Sequence, residues 1–206
     1  DDGDSPSPGS LRGVKKNAWE ADRIAVFSDD IREGIKGSVF SEKDRGFVSG
    51  KLGMEESIKF GIVAACEHPQ IDYSKDNYSK HSFAANPGNT VTYCECHDNN
   101  TLWDKLALSR TDASEEDRKS MHKLALTIIL TSQGIPFLHA GTEFLRSKNG
   151  VENSYKSGDD INAIQWSLKK DNLNINNYVK DIIKMRKEHP AFRMTTAKQV
   201  AEKILF

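Results

Sequence analysis

The residues whose types and spacing point most directly to chemistry are Cys96, His97 and Asp98, followed by Asn99. An imidazole and a carboxylate side by side suit recognition of vicinal hydroxyls and stabilisation of developing positive charge. They close an alternating run, Thr90-Val91-Thr92-Tyr93-Cys94-Glu95, whose period fits a half-buried strand. Neighbouring strand side chains diverge, so both groups reach one cleft only because the strand ends there. From the residues alone a plainer reading stays open: a rim Asp capping the next turn and a His satisfied by backbone. A metal corner is the other rival, since Cys66-Glu67-His68 and Cys94-Glu95-Cys96 offer two ligand pairs. Structural zinc sites leave roughly two to four residues between paired cysteines, whereas each pair here is split by one. Nothing marks a thiol at a helix N-terminus, so cysteine nucleophilic catalysis is weaker still. Asp29-Asp30 and Asp159-Asp160 read as solvated turn and cap residues. Trp19, Trp103 and Trp166 are potential sugar platforms, with burial at element ends the commoner case. Gly34-Ile35-Lys36-Gly37 lacks the spacing of a phosphate-cradling loop.

The elements that must position these groups follow from apolar periodicity. Ile24-Ala25-Val26-Phe27 is a short buried strand closed by Ser28-Asp29-Asp30. Residues 31–53 are rich in glycine and read as a long irregular excursion, of a length that is functional in compact domains. Apolar residues at helical spacing then run from Glu55 to about Cys66, with Cys66 a small buried residue. A polar stretch, His68 to Asn89, leads into the strand at 91–96. Ser114-Glu115-Glu116-Asp117 resembles a capping box that opens a helix to about Ser132, with Leu124, Ile128 and Thr131 on its buried face. Ile135-Pro136-Phe137-Leu138-His139 is a third short strand, followed by a polar loop from Gly141 to about Asp160. The last clear helix covers about Ile175 to Glu188 and stops at Pro190. Strand, long loop and helix alternate as in a parallel α/β sheet with crossover helices. The long loops follow strand C-terminal ends, where α/β barrels place their active sites, yet three strands cannot close an eight-stranded barrel.

Bulk composition narrows the partners. The 206 residues hold 29 Lys and Arg against 30 Asp and Glu, so no electrostatic footprint for nucleic acid or an acidic membrane exists. No apolar run approaches the roughly 20 residues needed to span a bilayer. Three cysteines cannot all pair with one another, which argues against a disulfide scaffold. The opening, Asp1-Asp2-Gly3-Asp4-Ser5-Pro6, has no initiator Met and reads as the start of a piece of a longer protein, loop-like over residues 1–20.

The segment Val91-Thr92-Tyr93-Cys94-Glu95-Cys96-His97-Asp98-Asn99 resembles the fourth signature region of the α-amylase superfamily of glycoside hydrolases. Its continuation, Thr101-Leu102-Trp103-Asp104-Lys105-Leu106, is similar to type I pullulanases, which debranch α-1,6-linked glucans. Phe27-Ser28-Asp29-Asp30-Ile31-Arg32 and Lys36-Gly37-Ser38-Val39-Phe40 resemble that family's sixth-strand region. His68-Pro69-Gln70-Ile71-Asp72-Tyr73-Ser74-Lys75 resembles the loop before its seventh strand. Gly134 to Arg146 resembles the eighth strand and its exit, and Asn153-Ser154-Tyr155 with Asp160-Ile161-Asn162-Ala163-Ile164 completes the set.

The resemblance implies an α/β fold, with residues 1–206 forming a C-terminal portion, about strands six to eight, of a (β/α)8 TIM barrel. It also implies a retaining mechanism in which one carboxylate attacks the anomeric carbon while another protonates the leaving oxygen. Asp98 matches the family's third carboxylate, a transition-state stabiliser, and His97 is expected to bind the same sugar. Arg146, Asn153 and Tyr155 are expected to line the glucan cleft, and Glu143 to orient strand-tip partners. The nucleophile and general-acid motifs occur nowhere in these 206 residues, so the chain alone is expected to be inactive and to need the remainder of the barrel. Cys66, Cys94 and Cys96 stand where other small or apolar residues are expected, Asn100 where Leu is usual and Gln165 where Asp is common. No metal site or cofactor is assigned, with calcium left open. The partner expected is an α-glucan such as pullulan, starch or glycogen, without nucleic acid or membrane. The alternatives are a non-catalytic α-glucan-binding fragment and a zinc-binding structural module.

Overall fold

The computed structural model describes residues 24–206, so the loop-like entry expected over 1–20 and Trp19 lie outside the described residues. Three parallel strands, β1 (Val26–Phe27), β2 (Thr90–Thr92) and β3 (Ile135–Pro136), pair in the order β1-β2-β3. Val26 lies opposite Thr90, and Val91 opposite Ile135. Pro136 has no N–H to give a ladder, which β3 tolerates at the edge of this sheet. Parallel neighbours require crossovers, and helices supply them. The first crossover carries α1 (Asp29–Lys36) and α2 (Glu55–Ile62), and the second α3 (Leu102–Ser109) and α4 (Glu115–Thr131). After β3 come α5 (Asp159–Asn162), α6 (Ser167–Asp171), α7 (Leu173–Glu188) and α8 (Ala197–Lys203). No helix of the described residues is long and apolar enough to cross a membrane.

The parallel sheet with crossover helices matches expectation, but every strand is shorter than its alternating run. Tyr93, Cys94 and Glu95 are buried yet lie off the ladder. The Glu95 carboxylate accepts the backbone N–H of Leu102, the first residue of α3, which draws the chain away from the strand direction. Asn99 then turns in the left-handed region at φ 61°. The delivering element for His97 and Asp98 is therefore a buried, irregular connection beyond the strand.

The excursion expected over 31–53 contains a helix instead. Asp29 and Asp30 in the first turn of α1 and Lys36 in its last complement the helix dipole, and Gly37 ends it at φ 88°. Gly34, which argues for loop in the sequence, and Gly61, inside the expected helix, are close-approach positions. A Cβ at Gly61 would sit 2.0 Å from Ile31 Cδ1, so α1 and α2 pack through the missing side chain.

The helix α4 begins as expected: Ser114 Oγ accepts from Asp117 N at 3.1 Å, and the Asp117 carboxylate accepts from Ser114 N. Its buried face is turned from the one expected. His122, Ala125, Leu126, Ile129 and Leu130 face inward at i, i+3, i+4 spacing and Ile128 is buried beside them as expected, while Leu124 is 42% exposed. The buried histidine occupies a position where an apolar residue signals the stripe, which shifts the apparent register. The apolar members join Ile31, Ile35, Leu102, Leu106, Val179 and Ile182 in the main core. Arg186 of α7 donates to the carbonyls of Leu130, Ser132 and Gly134, so α7 fastens the entry of β3.

Gly61→Ala is expected to destabilise the chain by about 1–3 kcal/mol, because the added methyl drives Ile31 out of its position in the core. Urea unfolding of the variant beside the parent checks this, and an unchanged midpoint would contradict the close approach of α1 and α2.

Candidate functional site

His97 and Asp98 emerge beyond the C-terminal end of β2, with side chains 83% and 70% exposed and His97 Nε2 3.4 Å from Asp98 Oδ1. They line a cavity of about 270 Å³ together with Arg146, Asn153 and Tyr155. All five residues singled out from the sequence thus meet in one place. A second cavity of about 420 Å³ shares Asp98 and Asn153 and is bounded by Phe40. Phe40 is 89% exposed and Tyr155 74% exposed. Exposed aromatic faces beside a carboxylate suit a ligand with both apolar and hydroxyl surfaces.

The loop after β3 is held against the tip of β2 by Lys148, whose side chain is 1% exposed. Its Nζ donates to His97 O at 2.9 Å and to Ser154 Oγ at 3.1 Å, and its backbone N donates to Asp104 Oδ2 at 2.7 Å. Asp104 also accepts from Ser147 Oγ, so α3 anchors the start of that loop. Ser154 is buried and tied, which leaves its neighbours Asn153 and Tyr155 turned outward. Burial lowers the Lys148 pKa from its ordinary value, Arg146 lowers it further, and Asp104 and Glu95 oppose the shift. Asn100 adds a second tie, donating from Nδ2 to Gly150 O at 3.0 Å. Its own carbonyl accepts from the buried Lys36 Nζ at 3.2 Å. Asn100, standing where the resemblance leads one to expect Leu, therefore joins the two loops with a bond that Leu has no atoms to form.

Arg146 lies at the cleft, but its guanidinium is engaged within the fold. Nη1 donates to Ala140 O at 3.0 Å and Nη2 donates to Asn162 O at 2.6 Å. It also approaches His139 Nε2 at 3.1 Å. A guanidinium has no lone pair to offer, so His139 Nε2 is the acceptor and the ring is neutral. Burial pushes the His139 pKa down to about 4, with Arg146 and Lys148 adding repulsion. Glu143 accepts the backbone N–H of Gly141 at 3.0 Å, a contact within its own turn. His139, Lys148 and Glu152 also line the cavity, although sequence reasoning did not single them out for it. A lone lysine or glutamate in a polar loop carries no periodic signal that separates it from a solvated one.

Several alternatives are corrected by the packing. The two pairs of the zinc module do not converge. Cys66 packs with Phe60 and Phe83, Cys94 lies in the main core, and His68 Nε2 is 3.1 Å from Ile204 O. Burial pushes the Cys66 thiol up to about 12 and raises that of Cys94, so neither is a thiolate. Asp30, expected to be solvated, is fully buried and accepts from Ser79 N and Oγ. Asp29 pairs with Arg32 at 3.0 Å and accepts from Tyr93 OH at 3.0 Å. Asp159 and Asp160 are exposed in the first turn of α5, as expected. Trp103 is half-buried beneath Arg118, whereas Trp166 is 65% exposed beside Phe144.

Two outcomes follow. Lys148→Met leaves His97 O and Ser154 Oγ without their donor, so it is expected to lower stability by about 1–3 kcal/mol and to speed amide exchange over 97–99 and 153–155. Hydrogen-exchange mass spectrometry reads this, and unchanged protection in both segments would contradict the strut. As pH falls, the unfolded chain protonates His139 near its ordinary value, while the folded chain resists to about 4. Stability is therefore lost on acidification between roughly pH 6.5 and 4. Subtracting the pH profile of His139→Gln from that of the parent isolates this slope, and a flat difference would contradict it.

Comparison with known proteins gives a consistent relationship. No family model matches the chain. The pullulanase of Bacillus subtilis (strain 168) is 33% identical over 196 residues, covering 95% of this chain and 26% of that protein. The crystal structure of pullulanase from Paenibacillus barengoltzii in complex with maltohexaose and α-cyclodextrin superposes with a TM-score of 0.85. It is 43% identical, over 93% of this chain and 28% of that one. Pullulanase from Anoxybacillus sp. LM18-11 in complex with maltotetraose gives a TM-score of 0.87 and 38% identity, over 98% of this chain and 28% of that one. The chain thus spans about a quarter of the length of the curated relative from Bacillus subtilis. Sequence and fold agree along nearly the whole described length, and the chain belongs to the pullulanase family.

Proposed function

We propose that residues 1–206 form part of the catalytic barrel of a retaining glycoside hydrolase, contributing about strands six to eight of a (β/α)8 fold. Its substrates are α-1,6-linked glucans, pullulan and branched starch or glycogen chains. The observation that carries this is the single cavity, beyond the C-terminal ends of parallel strands, where His97, Asp98, Arg146, Asn153 and Tyr155 meet. That end is where barrels of this class assemble their sites. The maltooligosaccharides bound by the related pullulanases support a glucan as the ligand.

In this reading Asp98 accepts hydrogen bonds from sugar hydroxyls and stabilises positive charge developing at the anomeric carbon. His97 holds the same ring, and Asn153 and Tyr155 border the adjoining glucose. Arg146 acts chiefly by fixing the wall through Ala140 and Asn162. The attacking carboxylate and the proton donor come from strands outside these residues. The outer edges of β1 and β3, unpaired among the described residues, are where the remainder of the barrel joins. Alone, the chain grips glucan without cleaving it, because covalent and acid–base catalysis need the two missing carboxylates.

Maltotriose titrated into the chain, followed by NMR, is expected to shift the signals of His97 and Tyr155, with Asp98→Asn weakening binding at least tenfold. Incubation with pullulan is expected to release no reducing sugar. Hydrolysis by the pure 206-residue chain would overturn the assignment of nucleophile and acid to other strands. Binding that ignores Asp98→Asn would overturn the cleft itself.

A further inference from the structure

We infer that Cys96, His97 and Asp98 form a chelating site for a divalent metal of zinc-like character at the lip of the glucan cleft. Each residue offers one donor, and the thiol sulfur, an imidazole nitrogen and a carboxylate oxygen all lie within 4.8 Å of one another. This is the one such group of three among the described residues. Tetrahedral zinc, with bonds of about 2.0–2.3 Å, places its donors roughly 3.5 Å apart. His97 Nε2 and Asp98 Oδ1 already stand at 3.4 Å. Cys96 is half-buried, and among the described residues its sulfur makes a long contact, 4.0 Å to Asp98 O. The side chains of His97 and Asp98 are 83% and 70% exposed, which leaves them room to turn toward the sulfur. Lys148 holds His97 O from behind and so fixes the backbone from which the donors project.

The donor chemistry selects the ion. One sulfur, one nitrogen and one oxygen suit zinc or another borderline metal over magnesium or calcium, which prefer all-oxygen shells. Three protein donors leave a fourth position open to water. The thiol and the imidazole bind without their protons, so uptake of the metal releases protons to solvent. Because His97 and Asp98 are also the groups assigned to glucose above, metal and glucan exclude one another. That exclusion rests on the proposed function, whereas the metal site itself does not.

Cobalt(II) is the direct probe, because a thiolate bound to it gives a charge-transfer band in the near ultraviolet. The chain is expected to take up one equivalent and develop that band, to lose it in Cys96→Ser and to keep it in Cys66→Ser. Zinc calorimetry is expected to show His97→Ala weakening binding by more than the roughly 10–100-fold that loss of an outer partner costs. A band that survives Cys96→Ser, or zinc affinity unchanged in both His97→Ala and Asp98→Asn, overturns the site. Maltotriose is then titrated with zinc present. Weakened sugar binding supports the shared donors. Unaltered sugar binding beside an intact, Cys96-dependent cobalt band overturns the exclusion and the glucan role of His97 and Asp98 while leaving the metal site standing.

Discussion

The arrangement of the cleft depends on where one buried ammonium goes. Lys148 sits in the loop after β3, is almost fully enclosed, and spends its donors on His97 O and Ser154 Oγ. Burying a cation is costly unless its hydrogen bonds are met, so the loop has few other places to lie. The backbone N–H of the same residue is held by Asp104 from α3, which fixes the start of the loop. The position of Asn153 and Tyr155 relative to Asp98 follows from these contacts, although none of those three side chains takes part in them.

Around that strut the fold works as a set of helices clamped to a very small sheet. Two or three residues per strand give few ladder bonds, so orientation comes from helix packing. The close α1–α2 contact through Gly61 and the Arg186 tie from α7 to the entry of β3 supply it. Glu95 and Lys36, both buried, fill the space beneath the tip. Burial pushes Glu95 up and Lys36 down in pKa, while their opposite charges resist both shifts. The same buried connection that carries the tip also presents Cys96, which links the glucan cleft to metal chemistry.

Legibility from sequence divides along the range of the interactions. The Ser114–Asp117 capping box and the parallel crossover order were readable, because caps and alternation are local signals. The α1 helix was not, since Gly34 and the glycines after it look like loop punctuation when their packing partners are unseen. The inward face of α4 was misplaced because His122 is polar yet buried. Asp30 reads as a solvated turn residue because nothing adjacent in sequence announces Ser79, which donates to its carboxylate from 49 positions away.

The sequence by itself determined the family and the identity of the tip. The run from Val91 to Asn99 and its continuation to Leu106 are ordered strings, and strings survive without knowledge of distance. Which of the remaining polar residues serve the cleft, and how, emerges from the folded arrangement alone. Lys148 is unremarkable in one dimension, and Asn100 and Arg146 stand out there without the partners that give them their roles. Their roles arise from bonds spanning 51, 50 and 16 positions respectively. A buried polar group is defined by the partners that satisfy it, and those partners meet only once the chain has folded.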